Sequence, residues 1–145
     1  MRLALTRRAD YAIRAMLLLS DGPGEVLSGA QIAQQTGIPI RLVTQVMGKL
    51  VHAGLVHARL GRHGGYWLEH EGLGTSILAI VEALEGDARR ARCVLSGDRC
   101  DARQQCRVHD IFAAAQEALI SRLATAGLAS ARPSAGPAGS EAAAV

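Results

Sequence analysis

Cys93, Cys100 and Cys106 stand on one short stretch, with six and then five residues between them, and His109 follows after two more. Thiolates and imidazole bind borderline and soft metals, so three cysteines with a flanking histidine make a candidate ligand set. Zinc would be satisfied by the three thiolates and His109 in a tetrahedral arrangement. An iron–sulfur cluster would take the three thiolates plus a fourth ligand from elsewhere, including a second subunit. The spacing alone leaves both open. The stretch that carries the thiols, Gly86 to Arg107, is polar and arginine-rich. Unligated cysteine prefers apolar burial, and an odd thiol count in a reducing compartment speaks for metal or redox chemistry over a disulfide framework.

A second group of residues suited to chemistry is cationic. Arg59, Arg62 and His63 surround Gly61, Gly64 and Gly65, between Leu55-Val56-His57-Ala58-Arg59 and Tyr66-Trp67-Leu68-Glu69. This reads as two strands joined by a glycine-rich turn. Cationic side chains at such a tip can contact phosphates or enter a narrow, electronegative minor groove.

The elements that must position these groups are mainly helical. A first helix is expected from about Thr6 to Ser20, capped by Thr6, with Ile13, Met16 and Leu17 apolar at helical spacing beside Leu5, Ala9 and Ala12. Asp21-Gly22-Pro23-Gly24 ends it. Ser28 caps a short helix to Gln35, Thr36-Gly37 forms a tight turn, and a third helix follows from about Pro39 to Ala53, with Pro39 in its first turn. Helix, glycine-containing turn and helix make a helix-turn-helix, and a hairpin directly after it is a wing. A short helix is expected over Thr75 to Leu84, and a long one from Val108 to about Leu128 with Val108, Ile111, Phe112, Ala115, Leu119 and Leu123 on its stripe. Lying beyond an already complete domain, and rich in alanine, the long helix is expected to form a homodimer.

The expected fold is therefore mainly α: a winged helix-turn-helix with a small β-hairpin wing and a long C-terminal dimerisation helix. Its divisions are 1–72 for DNA binding, 73–107 for the short helix and cysteine-bearing segment, 108–128 for dimerisation, and 129–145 as a disordered tail. The chain has 145 residues, a hydrophobic share of 49% and aromatics at 3%, so its core must be aliphatic and alanine-rich. A net charge of +3 permits nucleic-acid binding without establishing it. The longest apolar run, Ala15 to Leu19, is too short to span a membrane, and the opening residues do not form a signal peptide, so a cytoplasmic location is expected. No nucleotide-binding glycine loop or catalytic constellation is present, which speaks against an enzyme or electron carrier.

Taken in order, the opening Met1-Arg2-Leu3, Thr6, Asp10-Tyr11-Ala12-Ile13-Arg14, Gly37-Ile38, Gly54-Leu55-Val56, the wing glycines and the three cysteines resemble a known family. It is the family of winged-helix repressors that includes the iron–sulfur regulator IscR, the nitric-oxide sensor NsrR and the iron regulator RirA. The resemblance covers residues 1–128 and lies closest in motif to the NsrR-like members. It implies a dimeric regulator on a double-stranded DNA operator, in which Cys93, Cys100 and Cys106 hold a [4Fe–4S] or [2Fe–2S] cluster. The cysteine spacing and the Asp10-Tyr11 pair lean towards the NsrR-like group and [4Fe–4S]. The resemblance offers two fourth ligands, Asp10 of the partner subunit or His109 of the same chain, and this sequence has both. By position, Arg41, Thr44 and Gln45 would face the major groove, Gln45 towards adenine and Arg41 towards guanine or phosphate. One departure stands out: relatives commonly carry Arg just before the first wing glycine, where this chain has Leu60. The alternative is a zinc-bound or cluster-free regulator of the same fold that responds to thiol oxidation.

Overall fold

The computed structural model describes residues 5–88 and 106–131. Helix α1 spans Arg7–Asp21, and Thr6 caps it as expected, its hydroxyl accepting from the Ala9 amide at 3.2 Å. Its inward face is built from Ala9, Ala12, Ala15, Met16 and Leu19, all buried. Alanine loses no side-chain entropy in a helix and lets neighbouring backbones come close. Leu5, by contrast, is exposed and takes no part in this face.

Helix α2 (Gly29–Thr36) opens with a capping box, in which Ser28 Oγ accepts from the Gln31 amide and Gln31 Oε1 accepts from the Ser28 amide. Gly37 ends it at φ +73°, the left-handed conformation that favours glycine, with its amide donating to the Ala33 carbonyl. Helix α3 is Ile40–His52. Pro39 stands one position before the first turn instead of inside it: its ψ of 132° is not helical. Its carbonyl accepts from the Leu42 and Val43 amides and so starts the ladder.

Strands β1 (His57–Arg59) and β2 (Gly65–Trp67) pair antiparallel, with His57 opposite Trp67, Ala58 opposite Tyr66 and Arg59 opposite Gly65. Both are shorter than their sequence patterns because Val56 and Leu68 at their outer ends turn into the core. Leu27 adds an isolated bridge on the other side of β2, exchanging two backbone hydrogen bonds with Tyr66 at 2.9 and 2.8 Å. The wing is thereby stitched to the segment that leads into α2.

After a 3-10 turn at His70–Gly74, helix α4 (Ile77–Glu85) is capped by Ser76 and packs along α1. Ile80 and Leu84 join Met16, Ile32, Val46 and Leu50 in one core. Helix α5 (His109–Thr125) packs on α4. It stops three residues short of the expected end and is followed by a 3-10 turn over Leu128–Ala131, where a disordered tail was expected to begin. The reason is local. The Ala126 carbonyl accepts from the Ile77 amide at 2.8 Å, and the Leu128 amide donates to the Thr75 carbonyl at 3.0 Å. These bonds draw the chain back onto the start of α4 and bury Leu128 completely. The rest of the expected tail, 132–145, lies outside the described residues. Among the described residues, no helix is long and apolar enough to cross a membrane.

Leu128 therefore closes the core instead of ending the long helix. Leu128→Ala should cost about 2–5 kcal/mol of stability, the usual range for deleting a buried leucine side chain. Chemical denaturation at fixed protein concentration measures this as a lowered midpoint.

Candidate nucleic-acid interface and cysteine segment

Helix α3 has two sharply different faces. Val43, Val46, Met47 and Leu50 are buried, whereas Arg41, Thr44, Gln45 and Lys49 are exposed. The 3.6-residue period places Arg41, Gln45 and Lys49 in one line, four residues apart. The three α3 residues singled out from the sequence thus share a surface free of intrachain cover. Their donors are available to a partner, apart from the Thr44 hydroxyl, which donates to the Ile40 carbonyl at 3.4 Å.

The wing follows α3 in the chain, and Arg59, Arg62 and His63 are all exposed on it. Arg59 is turned back across the hairpin, its Nη2 donating to the His63 carbonyl at 3.1 Å. Gly64 is required sterically, since a Cβ there would collide with the Arg59 carbonyl. At the wing base, His57 stacks on Trp67 with ring centroids 5.4 Å apart, and Trp67 Nε1 donates to Glu69 Oε1 at 2.7 Å. Directly after β1, Leu60 is 97% exposed, so an apolar side chain faces solvent in the turn.

Two cations that the sequence reading passed over lie near α3. Arg8 of α1 and Lys49 of α3 line a solvent-open cleft of about 390 Å³ together with Gln45, Val46 and Leu84. Lys49 was legible from its place four residues after Gln45. Arg8 was not, because only the packing of α1 against α3 brings it there.

Of the proposed metal ligands, Cys93 and Cys100 lie outside the described residues. Cys106 is half-buried just ahead of α5, and its carbonyl accepts from the amide of His109 at 2.9 Å. His109, the first residue of α5, is also half-buried. Asp10 lies on the first turn of α1, where its carboxylate accepts from Arg14 Nε at 2.9 Å. That pair is solvent-exposed, and such pairs contribute only about 0–1 kcal/mol, so Asp10 is not strongly bound to its own helix. Among the described residues no three His, Cys, Asp or Glu side chains converge into a metal cage. The donor chemistry of the thiols with His109 or Asp10 still fits a borderline or soft metal.

The start of the cysteine segment is anchored twice. At its start, Glu85 Oε1 at the end of α4 accepts from the Thr6 amide at 3.1 Å and from the Thr6 hydroxyl at 2.7 Å. Three residues further on, the Ala88 carbonyl accepts from Gln116 Nε2 of α5 at 3.1 Å.

The family model Rrf2, described as an iron-dependent transcriptional regulator, matches residues 5–131. The HTH-type transcriptional repressor NsrR of Streptomyces coelicolor is 35% identical over 123 residues, which cover 82% of this chain and 81% of that protein. Among solved structures, CymR, the global cysteine regulator of B. subtilis, superposes with a TM-score of 0.74 at 21% identity, covering 90% of this chain and 96% of CymR. IscR of T. potens superposes with a TM-score of 0.69 at 22% identity, covering 94% of each chain. Both structural likenesses establish the winged-helix fold.

The wing geometry has a direct optical test, because Trp67 is the only tryptophan. Gly64→Ala should break the turn and expose Trp67, shifting its fluorescence to the red while the far-ultraviolet helical signal is kept.

Proposed function

The chain belongs to the Rrf2 family of transcriptional regulators, and on that premise we propose that it binds a double-stranded operator as a homodimeric repressor whose affinity is set by an iron–sulfur cluster. The observation that carries the DNA-binding part is the exposed line on α3, in a helix-turn-helix followed by an exposed cationic wing. Arg41, Thr44 and Gln45 read base edges, with Gln45 suited to adenine and Arg41 to guanine or phosphate. Arg62 and His63 lie on the backbone or in the minor groove, and Arg59 braces the wing that carries them. Leu60 stands just before the first wing glycine, where relatives commonly carry arginine, so the wing adds less electrostatic attraction than an arginine there would.

Dimerisation is supported by what α5 leaves uncovered. Only Ile120 is buried on it, whereas Ile111 is 70% exposed and Leu119 is also exposed. Ile111 and Leu119 belong to the stripe read from the sequence, and Ile120 does not. An apolar stripe that its own chain leaves open suits a symmetric partner helix.

Cys93, Cys100 and Cys106 would hold the cluster, with His109 or Asp10 of the partner subunit as fourth ligand. When bound, the group supplies electron exchange and iron that reacts with nitric oxide or oxygen. The chain's own part is positional. The cysteine segment joins α4 to α5, the helix assigned to the dimer. Its geometry sets how the two α3 helices are spaced, and half-sites one helical turn apart accept only one spacing. A ligand shifts such an equilibrium only as far as it prefers one arrangement over the other. The thiol-based alternative keeps the same DNA surface and differs only in what the cysteines carry.

Three measurements test this reading. Arg41→Ala with Gln45→Ala should abolish selective operator binding while leaving the fold intact; unchanged selectivity would overturn the docking. Anaerobically purified protein should absorb visible light and retain cluster mass in native mass spectrometry, with one of Asp10→Ala and His109→Ala destabilising it. A colourless, iron-free preparation would leave the thiol or zinc reading. Ile111→Arg with Leu119→Arg should convert the dimer to a monomer in analytical ultracentrifugation.

A further inference from the structure

Helix α3 contains a glycine that its own fold does not ask for. Gly48 lies in the middle of the helix, is exposed, and has nothing within 4 Å of where a Cβ would stand. Its φ is not in the left-handed region, so no backbone requirement explains it. Glycine inside a helix is unfavourable relative to alanine. On the helical wheel Gly48 falls between Thr44 and Gln45, at the centre of the exposed face. A bare backbone there lets an external surface approach α3 more closely than any side chain would allow.

Next to Gly48 lies the cleft between α1, α3 and α4. Arg8, Gln45 and Lys49 form its polar rim, and Val46 and Leu84 form its apolar wall. Among the described residues neither Arg8 nor Lys49 has an ion-pair partner. The nearest carboxylate in sequence to this wall, Glu85, is committed to the Thr6 amide and hydroxyl. The cleft therefore presents two cations with no ion-pair partner among the described residues, a set suited to a phosphodiester.

The position of the cleft identifies which phosphodiester. The line from Arg41 through Gln45 to Lys49 rises about 12 Å along the helix, close to the width of the B-DNA major groove. With Arg41 and Gln45 among the bases, Lys49 emerges at the groove edge, where the sugar–phosphate backbone runs. In helix-turn-helix docking the helix ahead of the recognition helix crosses that backbone, but here Arg8 comes from α1, a helix earlier.

We infer that the cleft lined by Arg8, Gln45 and Lys49 is a seat for one backbone phosphate of the bound duplex, and that Gly48 is bare so that α3 can lie deep enough for this phosphate to reach it. The inference rests on the DNA-binding reading above and adds two contacts and a steric requirement to it.

The test uses the full-length protein and a fluorescent duplex of about 30 base pairs, room for two half-sites, selected from a random library by the unaltered protein. Affinity is measured against salt concentration. Each neutralised phosphate contributes about 0.9 to the slope of log affinity against log salt, so emptying both seats of a dimer with Arg8→Gln and Lys49→Gln together should flatten it by about 2, and each single variant should flatten it by part of that. Both should weaken selected and unselected duplexes alike, and Arg8→Lys should restore the slope. Gly48→Gln should raise the melting temperature, since glutamine favours the helix, yet weaken DNA binding at least tenfold. Slopes unchanged in both charge variants would overturn the seat, as would unaltered DNA affinity in Gly48→Gln. Either result with Arg41→Ala still defective would overturn this inference alone. Failure of the unaltered protein to bind any duplex would overturn the DNA-binding reading and the seat together.

Discussion

The close approach of other elements to helix α1 is the constraint on which the rest of this structure depends. Ala9, Ala12 and Ala15 are fully or almost fully buried, and α2, α3, α4 and the Leu128–Ala131 turn all pack on this helix. A methyl group at each position keeps the interhelical distance short and leaves larger neighbours, such as Ile32, Val46 and Ile80, to fill the space between. Bulkier residues would push α3 outward, a change that well-packed cores resist at a cost of about 1–3 kcal/mol. Because α3 carries Arg41, Gln45 and Lys49 on its opposite face, its seat on α1 determines how that face is presented.

The same helix links the two regions suited to chemistry. Its first turn bears Arg8 beside the α3 cleft and Asp10 on the surface, and its capping residue Thr6 is held by Glu85. Glu85 is the last residue of α4, and the cysteine-bearing stretch begins with the next residue. A charge-assisted O–H···O contact of this kind is stronger than a neutral hydrogen bond. The carboxylate also sits at a helix N-terminus, where negative charge is favoured. Glu85 thereby ties the end of α4 to the start of α1, the end that carries Arg8 beside the α3 cleft.

The wing is a second case of backbone demands governing surface chemistry. Its hairpin is only three residues long on each side, too short to be stable alone. It persists because Leu27 pairs with Tyr66, Leu68 enters the core, and Gly61, Gly64 and Gly65 allow a turn that side chains would block. The cations on it ride on a scaffold whose stability comes from elsewhere in the domain.

Much of this was legible in the residues. Helical spacing with Thr6 and Ser28 as caps located α1 and α2 to within a residue, because capping and periodicity are local properties. The helix-turn-helix and wing followed from Gly37, Gly54 and the wing glycines, and the ordered motifs pointed to the family. The resemblance, by position, pointed to Arg41, Thr44 and Gln45, and all three are exposed. Tertiary packing decided what local rules cannot reach. It returned Leu128 to the core, where periodicity had placed it at the end of the long helix. It buried Ile120 and left the Ile111 and Leu119 stripe open. It brought Arg8 beside Lys49, forty-one positions away in the chain. Each of these depends on which helix faces which, and a contact between distant segments leaves no periodic trace in either one.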